Sequence, residues 1–242
     1  MHPTAAAGFG AAADLYEQGR PGYPDEAIRW LTRRLRLRPG ATVLDLAAGT
    51  GKLSHALGAT GADVVAVEPV SAMRAAIRSG IRTLDGTAEA IPLGDGAADA
   101  VTVGQAFHWF DGDAVLREIH RVLRPDGALA LLWNVRRMED PIHAAIEEVV
   151  LPHVESVPRH RVGAWRGAFG RTTLFGPFEQ VEFAHEQRLD ADGLVARVGS
   201  ISAIAALPDH ERRPVLARIR ALAGTSTVTL RYRCRVQVAD RA

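Results

Sequence analysis

The 242-residue sequence is poor in several residue types that mark particular classes of protein. Cys234 is the single cysteine, so neither an intramolecular disulfide nor a cysteine-based metal site can form. Lys52 is the single lysine, and the 29 basic residues nearly balance the 28 acidic ones, which disfavours nucleic acid or a membrane surface as a partner. No apolar run is long enough to span a bilayer, and the start of the chain lacks a signal-peptide pattern. We therefore predict a cytoplasmic protein without a metal site.

Short, nearly continuous apolar runs alternate with segments of helical periodicity in the first two-thirds of the chain. Such runs are typical of parallel strands that are buried on both faces, and their alternation with helices indicates βαβ units. The sequence therefore predicts an α/β fold. The predicted strands cover 42–48, 63–67, 98–103 and 128–133, and the predicted helices cover 25–37, 71–79 and 113–123.

The last third of the chain has a different pattern. Apolar and polar residues alternate strictly over 228–238, which is typical of an antiparallel edge strand with one solvated face, and 178–187 is its predicted neighbour. The arginines of this strand would lie on the solvated face and keep the edge soluble. Asp140-Pro141 predicts a helix start. The irregular segment 136–177 is either a lid, a substrate wall or a structural crossover.

A glycine-containing loop, 45–51, follows the first predicted strand and leads into a helix. A P-loop is excluded, because Leu46 stands where its first glycine is required and Leu53 follows the Gly-Lys pair. A dinucleotide site is disfavoured, because Ser54 replaces the third glycine of its fingerprint and the Asp45 carboxylate would repel a pyrophosphate. The same carboxylate would attract a cationic amino group. The loop therefore favours a cofactor without phosphates.

Glu68 ends the second predicted strand. A carboxylate in this position can accept hydrogen bonds from both hydroxyls of a ribose. A solvated glutamate at a strand end is the alternative interpretation. The position of Glu68 directly after the second strand favours ribose binding.

Five segments resemble, in order, the motifs of the class I S-adenosyl-L-methionine (SAM)-dependent methyltransferases: VLDLAAGTG (43–51), VAVEPVSAM (65–73), GTAEAIPL (86–93), QAFHWF (105–110) and EIHRVLRP (118–125). Their co-occurrence is more specific than any single segment. The opening of the chain is similar to small-molecule methyltransferases of the trans-aconitate and menaquinone/ubiquinone type, on Phe9-Gly10, 13–16 and 19–24. Ala47 departs from the family at a common glycine, and Thr87 departs where Asp is frequent.

The resemblance implies a Rossmann-like fold with helices on both faces of a seven-stranded, mostly parallel sheet that has an antiparallel edge strand. It also implies a single methyltransferase domain over 1–242. In this domain, 1–38 would cover the cofactor, 39–135 would form the SAM-binding core, and 136–242 would supply a substrate-side insertion and the C-terminal strands.

The resemblance further implies roles for individual residues at the cofactor. Asp45, Gly49 and Gly51 would hold its methionine end, Glu68 its ribose, and Met73 its adenine. Arg20 would meet either the cofactor carboxylate or an anionic substrate. The complete predicted cofactor-binding set is Tyr16, Arg20, Asp45, Ala47, Gly49, Thr50, Gly51, Glu68, Pro69, Met73, Thr87, Ala88, Glu89 and Gln105.

Methyl transfer is an in-line displacement that depends on positioning and water exclusion, and it needs no metal. A hydroxyl acceptor also needs a base. His108 is the candidate, because its motif follows a predicted strand at the carboxyl edge of the sheet, where open α/β sheets build their sites. Packing beside Trp109 or substrate binding explains His108 equally well. The predicted substrate-binding residues are Tyr23, His108, Trp109 and Trp165.

The leading hypothesis is a SAM-dependent methyltransferase that methylates an oxygen or carbon atom of a small molecule, as a monomer or homodimer, and releases S-adenosyl-L-homocysteine (SAH). A SAM-binding relative that transfers no methyl group is the alternative, because both share the same motifs. A nicotinamide oxidoreductase is disfavoured by the missing third glycine. A nucleic-acid methyltransferase is disfavoured by the near-zero net charge.

Overall fold

A computed structural model describes residues 13–154, 163 and 165–242 of the chain, so Phe9-Gly10 of the family resemblance lies outside the described residues. The helices are α1 (Ala13–Gly19), α2 (Asp25–Arg34), α3 (Lys52–Gly58), α4 (Ser71–Ala75), α5 (Gly112–Val122), α6 (Pro141–Val154), α7 (Arg166–Arg171), α8 (Ala191–Gly199), α9 (Ser202–Ala205) and α10 (Asp209–Ala223). The strands are β1 (Thr42–Leu46), β2 (Asp63–Val67), β3 (Arg82–Leu84), β4 (Ala98–Gly104), β5 (Leu123–Arg136), β6 (Glu179–Leu189) and β7 (Val228–Asp240).

The strands form one seven-stranded sheet in the order β3-β2-β1-β4-β5-β7-β6. β1 pairs in parallel with β2 and β4, β2 with β3, and β4 with β5. The chain leaves β1 towards one edge of the sheet and later returns to β4 on the other side of β1. The carboxyl ends of β1 and β4 therefore flank the topological switch point, where open α/β sheets bind their ligands.

β7 is the antiparallel strand of the sheet. The Arg137 N–H donates to the carbonyl of Arg231 at 3.2 Å, and the Arg241 N–H donates to the carbonyl of Gly127 at 2.9 Å, so the two chain directions oppose each other. The seven-stranded, mostly parallel sheet predicted from the sequence is thereby confirmed.

The alternating pattern of β7 has a different cause from the expected one, because β6 forms the edge and β7 lies beside it. The polar residues of β7 are ordered by pairing with β6 as well as by solvent. Arg231 Nε lies 3.1 Å from Glu186 Oε1, and Arg235 Nε lies 2.8 Å from Glu182 Oε1. The charges on these strands are therefore largely neutralised across the ladder.

Two further differences from the sequence-based prediction concern strand length. β3 has only three residues and is largely exposed, so it carries no continuous apolar run that could have predicted it. β5 begins at Leu123 rather than at Ala128, because residues 124–127, which precede the predicted strand, continue it through an irregularity in its pairing with β4.

The described chain forms two compact units, each with its own apolar core. The first comprises residues 13–22, 134–154 and 184–233, and its core is built from α6, α8 and α10 with buried residues such as Leu194 and Ile219. The second comprises residues 23–133, 163, 165–183 and 234–242, and its core includes β1, α2, α3 and the fully buried Cys234. Burial raises the pKa of the Cys234 thiol to about 12. No helix among the described residues combines the length and apolarity that crossing a bilayer requires.

Candidate functional site

The loop between β1 and α3 has an unusual backbone. Three of its residues adopt left-handed conformations, with φ of 56° at Ala47, 59° at Gly49 and 83° at Gly51. This region is free of strain for glycine and costs a residue with a Cβ about 1–2 kcal/mol. Ala47, which departs from a glycine common in the family it resembles, therefore keeps a glycine-like backbone in spite of its methyl group. The neighbouring Thr50 side chain is buried.

Asp45 is a buried carboxylate near the carboxyl end of β1, with 1% of its surface exposed. Its Oδ2 accepts a hydrogen bond from Ser54 Oγ at 2.6 Å, and Oδ1 lies 3.4 Å from Thr102 Oγ1. Burial raises the pKa of Asp45, and the nearby Glu68 carboxylate adds to the effect, so the pKa is about 7 in spite of these hydrogen bonds. Ser54, which replaces the third glycine of the dinucleotide fingerprint, therefore orients the Asp45 carboxylate.

Glu68 follows β2 and is held by the backbone. Its Oε2 accepts a hydrogen bond from the Gly49 N–H and its Oε1 from the Val70 N–H, both at 2.9 Å. Burial raises the pKa of Glu68, while the two backbone hydrogen bonds and Arg74 oppose that shift. A carboxylate offers about four acceptor positions. Two further donors can therefore bind a side chain whose orientation is already fixed.

The segment 86–93 is fastened by Arg121 of α5. The guanidinium donates to the carbonyl oxygens of Ile91 at 3.0 Å and Leu93 at 2.8 Å, and it pairs with Glu118 at 2.8 Å. Glu118 Oε2 also accepts from the Ile91 N–H at 2.9 Å. These ion pairs raise the pKa of Arg121 and lower the pKa of Glu118. Arg121 therefore fixes the backbone of a segment in which three cofactor-binding residues were predicted.

The predicted adenine-side residues differ in their exposure. Met73 and Ala88 are buried, whereas Pro69, Thr87 and Glu89 are half-buried. Thr87 and Ala90 form an isolated bridge that closes a tight turn. The turn fixes the position of the Thr87 backbone.

Gln105 follows β4 in a strained conformation. Its φ is 61°, in the left-handed region, and its N–H donates to the carbonyl of Leu132 at 2.9 Å. The side-chain Nε2 is buried without a hydrogen-bond partner among the described residues. A strained residue with an unsatisfied buried donor is typical of a ligand-binding position.

His108 lies in a 3₁₀ turn, Phe107–Trp109, within an aromatic cluster of the second unit. Its ring centroid is 4.8 Å from that of Trp109 and 5.7 Å from that of Trp133. Trp165 is 5.3 Å from Trp133 and belongs to the same cluster. The structure therefore brings together three of the four predicted substrate-binding residues.

Tyr23, the fourth of these residues, contacts the carboxyl end of β4. Its phenol approaches Gly104 so closely that a Cβ at Gly104 would overlap the hydroxyl group. Tyr23 also packs against the core of the second unit.

Tyr16 and Arg20 belong to the first unit. The Arg20 guanidinium lies over the Tyr16 ring, 5.1 Å from its centroid. Their predicted contact with a cofactor stays a prediction. Among the residues that the structure describes, no group of three or more His, Cys, Asp or Glu side chains is arranged to hold a metal ion.

Several residues that shape the site were not predicted from the sequence. Ser54 and Thr102 contact Asp45, and the Val70 N–H holds Glu68. Arg121 was noted only as part of a motif. Ser54 could have been predicted from its position in the first turn of the helix that follows the glycine-containing loop. A polar side chain in that turn can reach back to the preceding loop.

Comparison with known proteins identifies the family. A family model described as a methyltransferase domain matches residues 44–131. An uncharacterized methyltransferase from Mycobacterium tuberculosis (strain ATCC 25618 / H37Rv) is 40% identical over 225 residues, which cover 90% of this chain and 86% of the relative. The chain belongs to the methyltransferase family. The predicted family resemblance is thereby confirmed for this methyltransferase.

Solved structures have the same architecture as this methyltransferase. A proposed type II methyltransferase from Anaeromyxobacter dehalogenans has a TM-score of 0.66 and 26% identity, and the match covers 92% of this chain and 97% of that one. Geranyl diphosphate C-methyltransferase from Streptomyces coelicolor A3(2), solved with Mg²⁺, geranyl diphosphate and SAH, has a TM-score of 0.51 and 15% identity, with coverage of 90% and 77%. The Rossmann-like methyltransferase fold predicted from the sequence is thus confirmed.

Proposed function

We propose that this methyltransferase binds SAM and transfers its methyl group to an oxygen or carbon atom of a small-molecule acceptor, releasing SAH. The observation that carries the proposal is the pair of buried carboxylates at the carboxyl edge of the sheet. Asp45 lies near the end of β1, and Glu68, held by two backbone N–H groups, follows β2. The S. coelicolor enzyme of the same fold was solved with SAH and a small organic substrate, which supports the proposal.

The polar groups of the second unit fit the polar groups of SAM. Glu68 has acceptor capacity left for two ribose hydroxyls. Asp45 in its charged form complements an ammonium group, and the buried Gln105 Nε2 can donate to an oxygen of the cofactor. Bound SAM supplies a methyl group that is activated by a sulfonium leaving group.

The remaining predicted residues complete this assignment as proposals. Ala47, Gly49, Thr50 and Gly51 would bring the loop backbone close to the methionine end. The buried Met73 and Ala88 offer apolar contacts to an adenine, and Pro69, Thr87 and Glu89 would line its edge.

The enzyme's part in methyl transfer is positioning and water exclusion. The aromatic cluster of Trp109, Trp133 and Trp165 provides apolar surface that excludes water. His108, within that cluster, would accept a proton from a hydroxyl acceptor on an imidazole nitrogen. Tyr23, Trp109 and Trp165 would form walls for the acceptor.

The test of the cofactor assignment is calorimetric titration of the protein with SAM and SAH. We expect micromolar binding to the wild type and at least tenfold weaker binding to Glu68→Ala, since two hydrogen bonds to a charged acceptor are lost. Glu26→Ala, at an exposed position in the first turn of α2, is the control and should bind as the wild type does. A folded wild-type protein that binds neither compound would contradict the proposal.

The role of His108 needs a separate test. With an acceptor found by SAH release, His108→Ala should lower kcat about 10²-fold or more while SAH affinity stays unchanged. Unchanged turnover would assign His108 to packing or substrate binding. The cytoplasmic location, the monomer or homodimer and the single domain over 1–242 stay predictions.

A further inference from the structure

Arg74, in the last turn of α4, directs its side chain back to the turn that precedes this helix. Its Nη1 donates to the carbonyl oxygen of Glu68 at 2.5 Å, and its Nη2 lies 3.3 Å from Asp85 Oδ2. Its backbone N–H donates to the carbonyl of Val70 at 2.9 Å. Arg74 therefore connects three places in the second unit: the end of β2, the start of α4 and the residue that follows β3.

The contact with the carbonyl oxygen completes the hydrogen bonding of Glu68. The carboxylate accepts from the Gly49 and Val70 N–H groups, and the backbone N–H of Glu68 donates to the carbonyl of Leu84 at 3.1 Å. The carbonyl oxygen of Glu68 lies beyond the end of β2 and accepts from Arg74. The backbone and the side chain of Glu68 are thus both fixed by the protein.

The Glu68 carbonyl is the more important of the two acceptors that the Arg74 side chain contacts. The Arg74 side chain is 21% exposed, whereas that of Asp85 is 72% exposed. An exposed ion pair contributes little to stability, while a short hydrogen bond from a charged, partly buried donor contributes more. Asp85 therefore helps to orient the guanidinium, and the bond to Glu68 is the contact through which Arg74 acts.

Arg74 also brings a positive charge close to the Glu68 carboxylate. Burial raises the pKa of Glu68, and of the neighbouring charged groups Arg74 lowers this pKa whereas Asp85 raises it. Asp45, a third charged neighbour, is another carboxylate and repels Glu68. Arg74 therefore favours the charged form of Glu68, which is the better acceptor for hydroxyl groups.

We propose that Arg74 is a positioning residue for ribose binding, which holds the backbone of Glu68 so that its carboxylate faces the ribose hydroxyls of SAM. The inference rests on the proposed function, because it assigns a role in binding the cofactor of that reaction. Arg74 acts through Glu68. Its removal should therefore weaken the contribution of the ribose to binding more than the contributions of the adenine and the methionine end.

The test compares SAH with its 2′-deoxy analogue, which lacks one of the two ribose hydroxyls. The whole protein is titrated with both compounds by calorimetry between pH 5 and pH 8, as wild type, Arg74→Ala, Arg74→Gln, Arg74→Lys and Arg82→Ala. The ratio of the two affinities reports the ribose contact, because both compounds share the amino-acid end that Asp45 would bind. Arg82 is an exposed arginine of β3 and serves as the matched control. Circular dichroism checks the fold of each variant.

We expect the wild type to bind SAH about ten times more tightly than the 2′-deoxy analogue at pH 8, and Arg74→Ala to reduce this preference to about threefold or less. The preference should decline as the pH falls, because a protonated Glu68 is a weaker acceptor. In Arg74→Ala and Arg74→Gln, which lack the positive charge, the decline should begin at a higher pH. Arg74→Lys keeps the charge and should keep the wild-type pH dependence. Arg82→Ala should match the wild type in both measurements.

Two results would overturn the inference: an Arg74→Ala protein that matches the wild type, or equal losses of affinity for both compounds with an unchanged pH dependence. The second result would make Arg74 a structural anchor of α4 and leave the proposed function intact. If Arg74→Ala does not fold, the pH dependence of Arg74→Gln decides the question, because this variant also lacks the charge. A folded wild type that binds neither compound would contradict the proposed function, and the inference with it.

Discussion

The phenol of Tyr23 lies directly against the backbone of Gly104 at the carboxyl end of β4. A Cβ at Gly104 would overlap Tyr23 Oη and would also lie 3.3 Å from the side chain of Leu53. The approach is possible only because residue 104 has no side chain. Tyr23, a predicted substrate-binding residue, therefore contacts the residue that directly precedes Gln105, whose backbone is strained.

Gly104→Ala should therefore displace Tyr23 and destabilise the protein by about 1–3 kcal/mol, the usual cost of overpacking. Thermal unfolding measures the effect, and Gly94→Ala is the control because a Cβ there meets nothing within 4 Å. In a Tyr23→Ala background, Gly104→Ala should reduce the stability much less, because the phenol that the new methyl group would overlap is absent. Equal costs in both backgrounds would contradict the described contact.

Asp45 should make cofactor binding dependent on pH. Burial raises its pKa to about 7, and only the charged carboxylate attracts a cationic amino group. The affinity for SAH should therefore fall as the pH is lowered from 8 to 6, approaching tenfold per unit well below pH 7. Asp45→Asn should bind more weakly and lose this dependence, which calorimetry at several pH values can measure. A dependence that persists in Asp45→Asn would point to Glu68, whose pKa burial also raises.

Asp45 should also cost stability in the ligand-free protein. Its pKa in the folded state lies above the ordinary value of 3.8, so the folded protein binds the proton more tightly than the unfolded chain does. The contribution of Asp45 to stability thus declines as the pH rises from about 4 to 7 and then stays constant. At pH 7.5 we expect Asp45→Asn to raise Tm, by about 2–4 °C for each kcal/mol gained. An unchanged or lower Tm would mean that the hydrogen bonds from Ser54 and Thr102 outweigh the cost of burial.

We expect Gln105 to lower the stability of the protein while it strengthens SAH binding. Gln105→Gly removes the left-handed strain and should stabilise the protein by up to about 1 kcal/mol, while the loss of the buried amide weakens SAH binding. Asparagine tolerates the left-handed backbone, so the stability and SAH affinity of Gln105→Asn should lie between those of the wild type and Gln105→Gly. Thermal unfolding and SAH titration of the three proteins test this. Unchanged SAH affinity in Gln105→Gly would show that the amide does not contact the cofactor.

Arg121 should stabilise the segment that carries Thr87, Ala88 and Glu89. Arg121→Ala removes its hydrogen bonds to the carbonyls of Ile91 and Leu93, so we expect a loss of about 1–3 kcal/mol and at least threefold weaker SAH binding. Arg117→Ala, at an exposed position of the same helix, controls for the loss of an arginine from α5. Hydrogen exchange of residues 86–93 should increase in Arg121→Ala alone. Exchange that is equal in both variants would refute the anchoring role.

The parts of the fold that could be predicted from the sequence are those with a strong local signal. The strand β2 was predicted with its observed limits, because apolar residues fill it and polar residues bound it. β3 has three largely exposed residues, and its place in the sheet depends on pairing with β2, which no local pattern encodes. The continuation of β5 through Pro125 depends on its pairing with β4 in the same way.

The candidate site shows the same division. The carboxylates of Asp45 and Glu68 could be predicted, because their positions at strand ends are a matter of spacing along the chain. The contact of Tyr23 with Gly104 and the anchoring of segment 86–93 by Arg121 join residues that are distant in sequence. The carbonyl groups that Arg121 contacts belong to the backbone, which leaves no trace in residue type. The φ of Gln105 is likewise set by the fold around it.

The burial of Cys234 in β7 has a practical consequence for labelling. The single thiol of the chain is fully buried, and a pKa of about 12 keeps it protonated at neutral pH, so alkylating reagents should not react with it in the folded protein. A cysteine introduced at an exposed position such as Arg218 would then be the sole reactive thiol. A maleimide dye could be attached there without first removing the native cysteine, which gives this enzyme a ready background for fluorescence measurements.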